Sequence, residues 1–508
     1  MESHSNNKKI AINTMFLYIR TLIVLGISLY TSRVVLQVLG AEDLGIYNVV
    51  GGIVALMGFF QTAQTKATSR FITYELGKHS SNNILQKVFS VCMTIHIIIA
   101  FISLIFGETI GLWMIIHWTD IPIARQSAAM WVYQFALVVF CCQIVRVPYD
   151  AVIVAHERMS MYAYMSILEA ILLLGMAYLL KIAPGDSLIY YSASGVVIAV
   201  ILFLCYYFYV HRFFSAYRYR PVWDKEYSMR VLSFSGWTLL GSSANTITQQ
   251  GTSLLMNNFV GLIANAALGF AGQVNIAVSK FVNGFSTAFT PQIIKLYAQD
   301  DYDSMHTLMN RSSKFSFVLC YLMALPLIAN MSFILSLWLG SDVPMYTKEF
   351  CQLILVCTIF DATTGVYNTT ITATGRIKYY QVAISLSFFL DLACCYVLLV
   401  YSVNPVFVFG SRIITRGVIN MFIGLYFIRS YTHFDILDYS KTVLLGILIT
   451  IMISSLPVYC ISQITDGWVC LVTTGFVSVF LIIICTLYII MTRSERKSVL
   501  SKLMRNLS

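Results

Sequence analysis

Six cationic residues lie inside long apolar stretches of this sequence, where a charged side chain has no obvious solvent. They are Arg20, Arg33, Arg146, Lys280, Arg412 and Arg416. A charge at the centre of a bilayer costs about 2.5 kcal/mol or more, so such residues usually face a hydrated cavity. The first four are predicted to bind substrate. Arg20 and Lys280 lead this set, because Arg33 and Arg146 lie near predicted helix ends, from which long side chains reach the headgroups.

Two neighbouring predicted helices each carry polar residues at spacings of three, four or seven, which place side chains on one helix face. These residues are Asn245, Gln249 and Thr252 in one helix, and Gln273, Lys280 and Asn283 in the other. Hydrogen bonding between helices is one explanation, since these residue types commonly serve it. A cation on one of the faces favours a hydrated lumen, in which the polar groups meet substrate hydroxyls.

Carboxylates are fewer than cations inside the apolar stretches. Asp361 and Asp391 have two possible roles. They could take up a coupling proton or sodium ion, or they could pair with Arg412 or Arg416. The excess of cations predicts an anionic substrate, because a positive site attracts phosphate or a sugar acid and repels organic cations.

The sequence predicts no metal and no other cofactor. Its 12 Cys residues fall mostly in apolar runs without a Cys-x-x-Cys pair, and its 8 His residues show no metal-ligand spacing. Such cysteines are typical of small buried hydrophobic side chains. No catalytic set is found either, so the protein is predicted not to be an enzyme.

The elements that must position these residues are membrane helices. Hydrophobic residues make up 58% of the chain and charged residues 11%, against about 25% charged residues in an ordinary soluble domain. A spanning helix needs about 20 apolar residues, and runs of this length recur along the sequence. The net charge of +10 is spread along the loops and aromatics do not interleave with it, which argues against nucleic-acid binding.

Fourteen helices are predicted, which makes the chain an all-α polytopic membrane protein. They cover residues 10–38, 43–65, 86–116, 123–148, 160–181, 187–211, 229–257, 263–291, 313–339, 346–373, 379–401, 405–428, 441–463 and 468–491. When these helices alternate in direction, almost all Lys and Arg residues of the connections fall on one side. Both termini are therefore predicted to be cytoplasmic.

Two pairs of similar stretches indicate an internal repeat. Residues 149–162 and 367–380 share five of fourteen residues at an offset of 218, and 44–45 resembles 268–269 at an offset of 224. The alternative is chance similarity between helix ends. A duplicated half predicts two six-helix lobes, an arrangement in which transporters keep their site at the interface. The predicted parts are an N-lobe at 1–211, a cytoplasmic linker at 212–230, a C-lobe at 231–430, helices 13 and 14 at 431–492, and a basic cytoplasmic tail at 493–508.

The N-terminal third carries two recognisable runs, LGAEDLGIYNVV at 39–50, preceded by related residues at 20–36, and AHERM at 155–159. The first resembles the polysaccharide-transport branch of the multidrug, oligosaccharidyl-lipid and polysaccharide exporter superfamily. The second is similar to the loop that follows helix 4 in that family. Helix number and two-lobed organisation extend the resemblance over the full length.

This resemblance implies a Wzx-like flippase that moves undecaprenyl-pyrophosphate-linked oligosaccharide across the bacterial inner membrane for O-antigen or capsule assembly. A cationic cleft between the lobes would open to each side in turn. Arg20 and Lys280 would hold the pyrophosphate while the lobes rock about residues 211–230. The implied partners are the anionic lipid-linked oligosaccharide, membrane lipids and the polysaccharide polymerase machinery.

Three other functions remain as alternatives. A multidrug exporter of the same superfamily is expected to have an acidic lumen suited to cations. A peptidoglycan-precursor flippase shares fourteen helices and a cationic cavity. From a different class, a membrane glycosyltransferase or polymerase would be indicated by paired carboxylates in a long outer loop, and the sequence shows neither feature.

Overall fold

The computed structural model describes residues 2–55, 57–118, 121–180, 185–222, 224–340, 343–492 and 495–496. Within these ranges the chain forms helices joined by short turns, and no β-strand occurs. Ten of the helices described are long and apolar enough to cross a membrane. The predicted fold class is confirmed: the protein is an all-α, multi-pass membrane protein, consistent with about fourteen spanning segments.

The helices follow the predicted order. Helices α1 to α9 are Glu2–Ala55, Gly58–Gly77, Asn82–Phe106, Leu112–Trp118, Ile123–Ala155, Met159–Leu179, Ser187–Phe213, Lys225–Phe259 and Leu262–Ala298. Helix α1 is interrupted by a kink at Gly40, whose backbone is not helical. Helices α10 to α18 are Tyr302–Ala329, Met331–Leu339, Thr347–Thr374, Lys378–Val400, Pro405–Gly410, Ile419–Thr432, Ile436–Tyr439, Leu445–Ile464 and Gly467–Cys485. Four π-helical turns lie at Gly107–Gly111, Ile413–Val418, Ser440–Leu444 and Thr486–Ile490. Several helices run past the apolar stretches that predicted them, because their polar ends stay helical outside the hydrocarbon.

Breaks between helices recur at a nearly constant distance along the chain, which supports the internal repeat. Three pairs of residues with positive φ are separated by 221 (261 − 40), 221 (300 − 79) and 218 (375 − 157) residues. The pairs are Gly40 (76°) and Gly261 (109°), His79 (52°) and Asp300 (57°), and Glu157 (58°) and Gly375 (75°). A residue in this left-handed region commonly ends a helix. The two halves therefore turn at corresponding positions even where their residue types differ.

The chain forms two compact units, which we call unit 1 (Met1–Ser242 with Tyr297–Gln299) and unit 2 (Ser243–Leu296 with Asp300–Ser508). The core of unit 1 surrounds Tyr133, whose hydroxyl donates to the carbonyl oxygen of Gly107 at 2.6 Å. A Cβ atom on Gly107 or Gly111 would collide with the Tyr133 and Leu137 side chains. The glycines of this π-helical turn are therefore needed for the close approach of α5.

The core of unit 2 includes Phe350, Phe409 and their neighbours. Further along α12, the buried Tyr367 hydroxyl donates to the Tyr439 hydroxyl at 2.6 Å, and Tyr439 shares a second hydrogen bond with Ser313 at 2.7 Å. Gly424 gives the Tyr367 ring its space, since a Cβ there would lie 2.7 Å from a ring carbon. Tyr367 thus ties α12 to α15 and α16.

Residues 214–222, which we call the strap, lie within the predicted linker at 212–230 and are bonded to unit 1. Tyr217 is 1% exposed and its hydroxyl lies 3.1 Å from His156 Nε2. Burial raises the pKa of Tyr217, so this phenol stays neutral. The Arg220 amide donates to Ser90 Oγ at 3.1 Å. The strap is therefore held on α3 and on the end of α5.

The first turns of α8 continue this attachment to unit 1. Tyr227 donates to Glu75 of α2 at 3.1 Å, and Ser235 donates to Gln64 of the same helix at 3.1 Å. The boundary between the two compact units lies at Ser242, inside α8.

Candidate functional site

The first cluster of charged residues lies along one face of α5 in unit 1. Arg146 and Asp150 are one helical turn apart, so both side chains project towards the same neighbours. Arg146 Nη1 lies 4.0 Å from Glu169 Oε2 of α6, and its guanidinium lies 5.3 Å from the ring centre of Tyr206 in α7. Tyr206 also interacts electrostatically with Asp150. A cation and an anion on α5 thus share polar partners from two other helices.

Helix α1 brings a second cation to this cluster. The Arg20 guanidinium lies over the Tyr162 ring of α6, 4.8 Å from its centre. Arg146 and Arg20 are the two cations that act electrostatically on Asp150. The structure therefore brings two predicted site residues together around a carboxylate that the sequence analysis did not assign to the site. The signal for it was the four-residue spacing from Arg146 to Asp150.

A cavity of about 470 Å³ within unit 1 adjoins the cluster. Its polar lining includes Gln61 of α2, Gln143 and Arg146 of α5, and Glu169 of α6, while most of the remaining wall is apolar. The Arg146 and Glu169 side chains keep 21% and 37% of their surface exposed. The ion pair of unit 1 is therefore accessible from this cavity.

Unit 2 holds a second cluster, in which Asp391 of α13 is 1% exposed. Arg412 Nε donates to Asp391 Oδ2 at 3.1 Å, and Thr415 Oγ1 donates to Asp391 Oδ1 at 2.6 Å. Pairing with Arg412 was one of the two roles predicted for Asp391. Both carboxylate oxygens have a donor, as a buried anion requires.

The second arginine of unit 2 joins α8 to α12. Arg416 Nη2 donates to Asn245 Oδ1 at 2.5 Å and interacts electrostatically with Asp361. Gln249 Nε2 donates to the same Asn245 oxygen at 3.3 Å. A cavity of about 530 Å³ contains the predicted lumen residues of α8 together with the charged groups. Its polar lining includes Asn245, Gln249, Thr252, Asp361, Arg412 and Arg416. Asp391 lies behind this lining.

The polar residues of α9 are placed differently. Gln273, Lys280 and Asn283 are all exposed, and none of them lines either of the two cavities. Among the described residues, no ion pair involves Lys280. Lys280 belongs to unit 2 and Arg20 to unit 1, and the structure describes them separately. The side chain of Arg33, the remaining predicted substrate ligand, lies outside the described residues.

Each charged cluster contains two arginines and two carboxylates, so within these clusters the cation excess disappears. Unit 1 contributes Arg20 and Arg146 with Asp150 and Glu169, and unit 2 contributes Arg412 and Arg416 with Asp361 and Asp391. No set of three or more His, Cys, Asp or Glu side chains suited to a metal ion occurs in the described part of the chain. The clusters can hold charge and bind polar ligands at the walls of their cavities.

Comparison with known proteins agrees with this architecture. The family described as "polysaccharide biosynthesis protein" matches residues 8–297, and the family described as MatE matches residues 238–397. No curated protein matches the sequence significantly.

Solved transporter structures share the fold at low sequence identity. The Vibrio cholerae MATE transporter VcmN in its bent form is 14% identical with a TM-score of 0.70, over 85% of this chain and 97% of that one. A MOP superfamily transporter from Pyrococcus furiosus, described as having reverse polarity of its binding pocket, is 12% identical with a TM-score of 0.64, over 82% and 93% of the two chains. The fold is thus that of the MATE and MOP transporters. Because its family match covers more than half of the 508 residues, the chain belongs to the polysaccharide biosynthesis protein family.

Proposed function

We propose that this protein is a flippase that moves an anionic, lipid-linked oligosaccharide from the inner to the outer leaflet of a bacterial inner membrane. Family membership and the transporter fold support a membrane exporter of lipid or polysaccharide cargo. The observation that carries the finer proposal is Lys280, an exposed cation in α9 without a carboxylate partner among the described residues. Both charged clusters are balanced, whereas Lys280 supplies positive charge that no carboxylate among the described residues compensates.

The surroundings of Lys280 suit such a cargo. Gln273 and Asn283 are exposed on the same face of α9, at spacings of seven and three residues from Lys280. A face with a cation and two amides is costly against hydrocarbon, so it meets water or a polar ligand. The ammonium would hold the diphosphate and the amides would bind sugar hydroxyls, while the lipid tail stays in the bilayer.

Deletion of the gene in its native host tests the proposal directly. Lipid-linked intermediates should accumulate on the cytoplasmic leaflet, and the long surface glycan should be lost. Normal glycan with increased sensitivity to cationic drugs would overturn the proposal and favour a multidrug exporter instead. Accumulation of lipid-linked cell-wall precursor on the cytoplasmic leaflet, with normal surface glycan, would favour the peptidoglycan-precursor flippase.

The role of Lys280 is tested by complementation of that deletion. Lys280→Gln should reduce glycan export at least about tenfold, the factor that corresponds to about 1.4 kcal/mol of lost diphosphate interaction, while Lys280→Arg keeps most of it. Lys348→Gln, which removes another exposed lysine, is the matched control and should export normally. Normal export by a correctly inserted Lys280→Gln protein would remove Lys280 from the site.

A further inference from the structure

The strap, residues 214–222, contains two arginines and no carboxylate. Arg218 and Arg220 are both exposed, and neither forms an ion pair in the part of the chain that the structure describes. The two nearest carboxylates in sequence already have cationic partners, in the pairs Lys87–Asp224 and Arg230–Glu226. The strap therefore holds two positive charges that are available to an anionic ligand.

Polar side chains of α3 fix the backbone of the strap at both arginines. Gln86 Nε2 donates to the Arg218 carbonyl oxygen at 3.0 Å. One turn further along α3, Ser90 Oγ accepts from the Arg220 amide at 3.1 Å. Both bonds are made by the main chain of the strap, so they position Arg218 and Arg220 without engaging the guanidinium groups. The two cations are thus held at a fixed place on unit 1.

The face of α3 that the strap covers continues along the helix as an exposed apolar face. Thr94 is the last polar residue of α3 on this face, and its hydroxyl lies 3.4 Å from that of Tyr219 in the strap. Ile97, Phe101 and Ile105 follow at spacings of three or four residues, which keep them on the same face. They are 42%, 62% and 50% exposed. An exposed apolar face on a membrane-spanning helix meets lipid, so the strap lies on the lipid-facing side of unit 1.

The position of the strap along α3 corresponds to the depth of the lipid headgroups. Asn82–His117 is an apolar helical stretch of 36 residues, and Phe101 lies near its middle. Ser90 precedes Phe101 by 11 residues (101 − 90), which is about 16 Å of helix and about half the thickness of the hydrocarbon core. Tyr219 and Val222 of the strap are 37% and 40% exposed. Such amphipathic and apolar side chains suit the boundary between hydrocarbon and headgroups.

We propose that the strap is a binding site for anionic phospholipid headgroups of the host membrane, whose phosphates are bound by Arg218 and Arg220. The site concerns the surrounding bilayer and not the cargo, so it does not depend on the proposed function. A guanidinium group offers a fork of N–H donors that matches phosphate oxygens. The lipid-facing position of the strap and its exposed Tyr219 and Val222 favour a lipid over an acidic soluble protein, which would bind at a surface in water.

Native mass spectrometry of the purified full-length protein tests the site, with dioleoylphosphatidylglycerol as the anionic probe and dioleoylphosphatidylcholine as the zwitterionic one. The wild type should bind the anionic lipid at least about tenfold more tightly. Arg218→Gln and Arg220→Gln should each weaken that binding about fivefold, the usual attraction of one basic residue to an anionic membrane surface, whereas Arg218→Lys should keep most of it. Arg230→Gln is the matched control and should change it less than twofold, because Arg230 is already bonded to Glu226.

A further variant distinguishes a built site from a region of diffuse positive charge. Ser90→Ala removes the acceptor of the Arg220 amide and leaves every charge in place. Because ordering a loosened strap costs free energy on binding, the anionic lipid should bind at least about twofold more weakly. Gln86→Ala, which removes the donor to the Arg218 carbonyl, replaces Ser90→Ala if the latter fails to fold. Unchanged affinity would contradict a built site.

Two other results would overturn the proposal. One is equal affinity of the wild type for the two lipids, and the other is full affinity for the anionic lipid in both Arg218→Gln and Arg220→Gln. If these two variants bind lipid normally but lose surface glycan in the native host, the arginines instead contact an acidic protein. Lipid binding is measured without cargo, so its failure leaves the proposed export function standing.

Discussion

Units 1 and 2 each bury a carboxylate beside two arginines, but they satisfy that carboxylate to different degrees. In unit 2 both oxygens of Asp391 accept hydrogen bonds, from Arg412 and Thr415. In unit 1 one oxygen of Asp150 has no donor. Arg412 itself keeps one buried nitrogen without a partner. The two units therefore differ in how fully the carboxylate is hydrogen-bonded, and not in how fully the arginines are. A carboxylate with donors on both oxygens holds its helices together more firmly than one with an unused acceptor.

The arginines also come from different places in the two halves of the repeat. Unit 1 draws them from α1 and α5, and unit 2 draws both from the segment after α14. The repeated backbone therefore sets where helices turn, as the paired positive φ values show, and leaves the charged residues free to differ. The two units of one fold consequently hold their buried charges in different ways.

The largest expected effect is the loss of the unit 2 pair. Asp391→Asn leaves the Arg412 cation, with 9% of its side chain exposed, without its counter-ion, which typically costs about 3–5 kcal/mol. The melting temperature of the purified protein should fall sharply. Asp150→Asn is the matched variant in unit 1 and should lower it far less, because Asp150 is held by fewer bonds.

A double variant separates lost pairing from general damage. Asp391→Asn combined with Arg412→Gln removes both charges and should regain most of the stability, because no unpaired charge is left buried. Equal destabilisation by Asp391→Asn and Asp150→Asn would contradict the contrast between the units.

Much of the fold could be predicted from sequence because apolar runs of spanning length are explicit in it. The ends of helices were harder to predict, and the position of one helix end decides which residues share a helix face at the site. The apolar run of the fourth predicted helix ended at 148, but α5 continues to Ala155, so Asp150 lies on the same helix face as Arg146. Its other partners, Arg20 and Tyr206, come from α1 and α7. Only the packing of helices distant in sequence brings them to Asp150.

The polar face of α8 shows the same limit of prediction from sequence. Spacing predicted that Asn245, Gln249 and Thr252 share a helix face, and all three line the cavity of unit 2. The Asn245 side chain, however, is engaged by Arg416 from a helix 171 residues away. Periodicity identifies the face of a helix, but it carries no information about which charged group that face meets.

A smaller loss of stability is expected at the turn that occurs in both halves, after α5 and after α12. Gly375 ends α12 at φ 75°, where unit 1 has Glu157 at φ 58°. A non-glycine residue in this left-handed conformation costs about 1–2 kcal/mol, so Gly375→Ala should lower the melting temperature modestly. Gly365→Ala in the interior of the same helix is the control, since nothing lies within 4 Å of its added Cβ, and helix propensity favours Ala there. Equal effects of both changes would show that φ at Gly375 is not under constraint.

Tyr149 and Tyr367 are the first residues of the two similar stretches, but they make different contacts in the two units. Tyr367 donates a buried hydrogen bond to Tyr439, so Tyr367→Phe should cost about 1 kcal/mol. Tyr149 packs instead against aromatic rings, including Phe89 at 5.4 Å and Phe203 at 5.8 Å between centroids. Tyr149→Phe keeps those contacts and should change the melting temperature little. A larger loss from Tyr149→Phe than from Tyr367→Phe would reverse the assignment of roles.

The smallest effects are expected at two partly exposed ion pairs, one in each unit. Lys87 Nζ lies 2.6 Å from Asp224 Oδ2, just before α8. In unit 2, Arg311 Nε lies 2.6 Å from Glu495 Oε1, and the Glu495 side chain is 14% exposed. Glu495→Gln should cost about 1 kcal/mol or less. Asp224→Asn should cost less still, because water screens both charges of the Lys87–Asp224 pair.

Measurements at low pH separate the charge interaction of Asp224 from other effects of its substitution. The hydrogen bond from Lys87 holds the pKa of Asp224 below its ordinary value of 3.8. A group whose folded-state pKa is lowered adds stability above its unfolded pKa, and loses it as pH falls through the folded value. The difference in melting temperature between wild type and Asp224→Asn should therefore be present at pH 7 and disappear as pH falls through the folded-state pKa, which lies below 3.8. A difference that persists in acid would contradict the assignment to charge, because Asn keeps a side-chain oxygen that can accept from the Tyr227 amide and lacks only the charge.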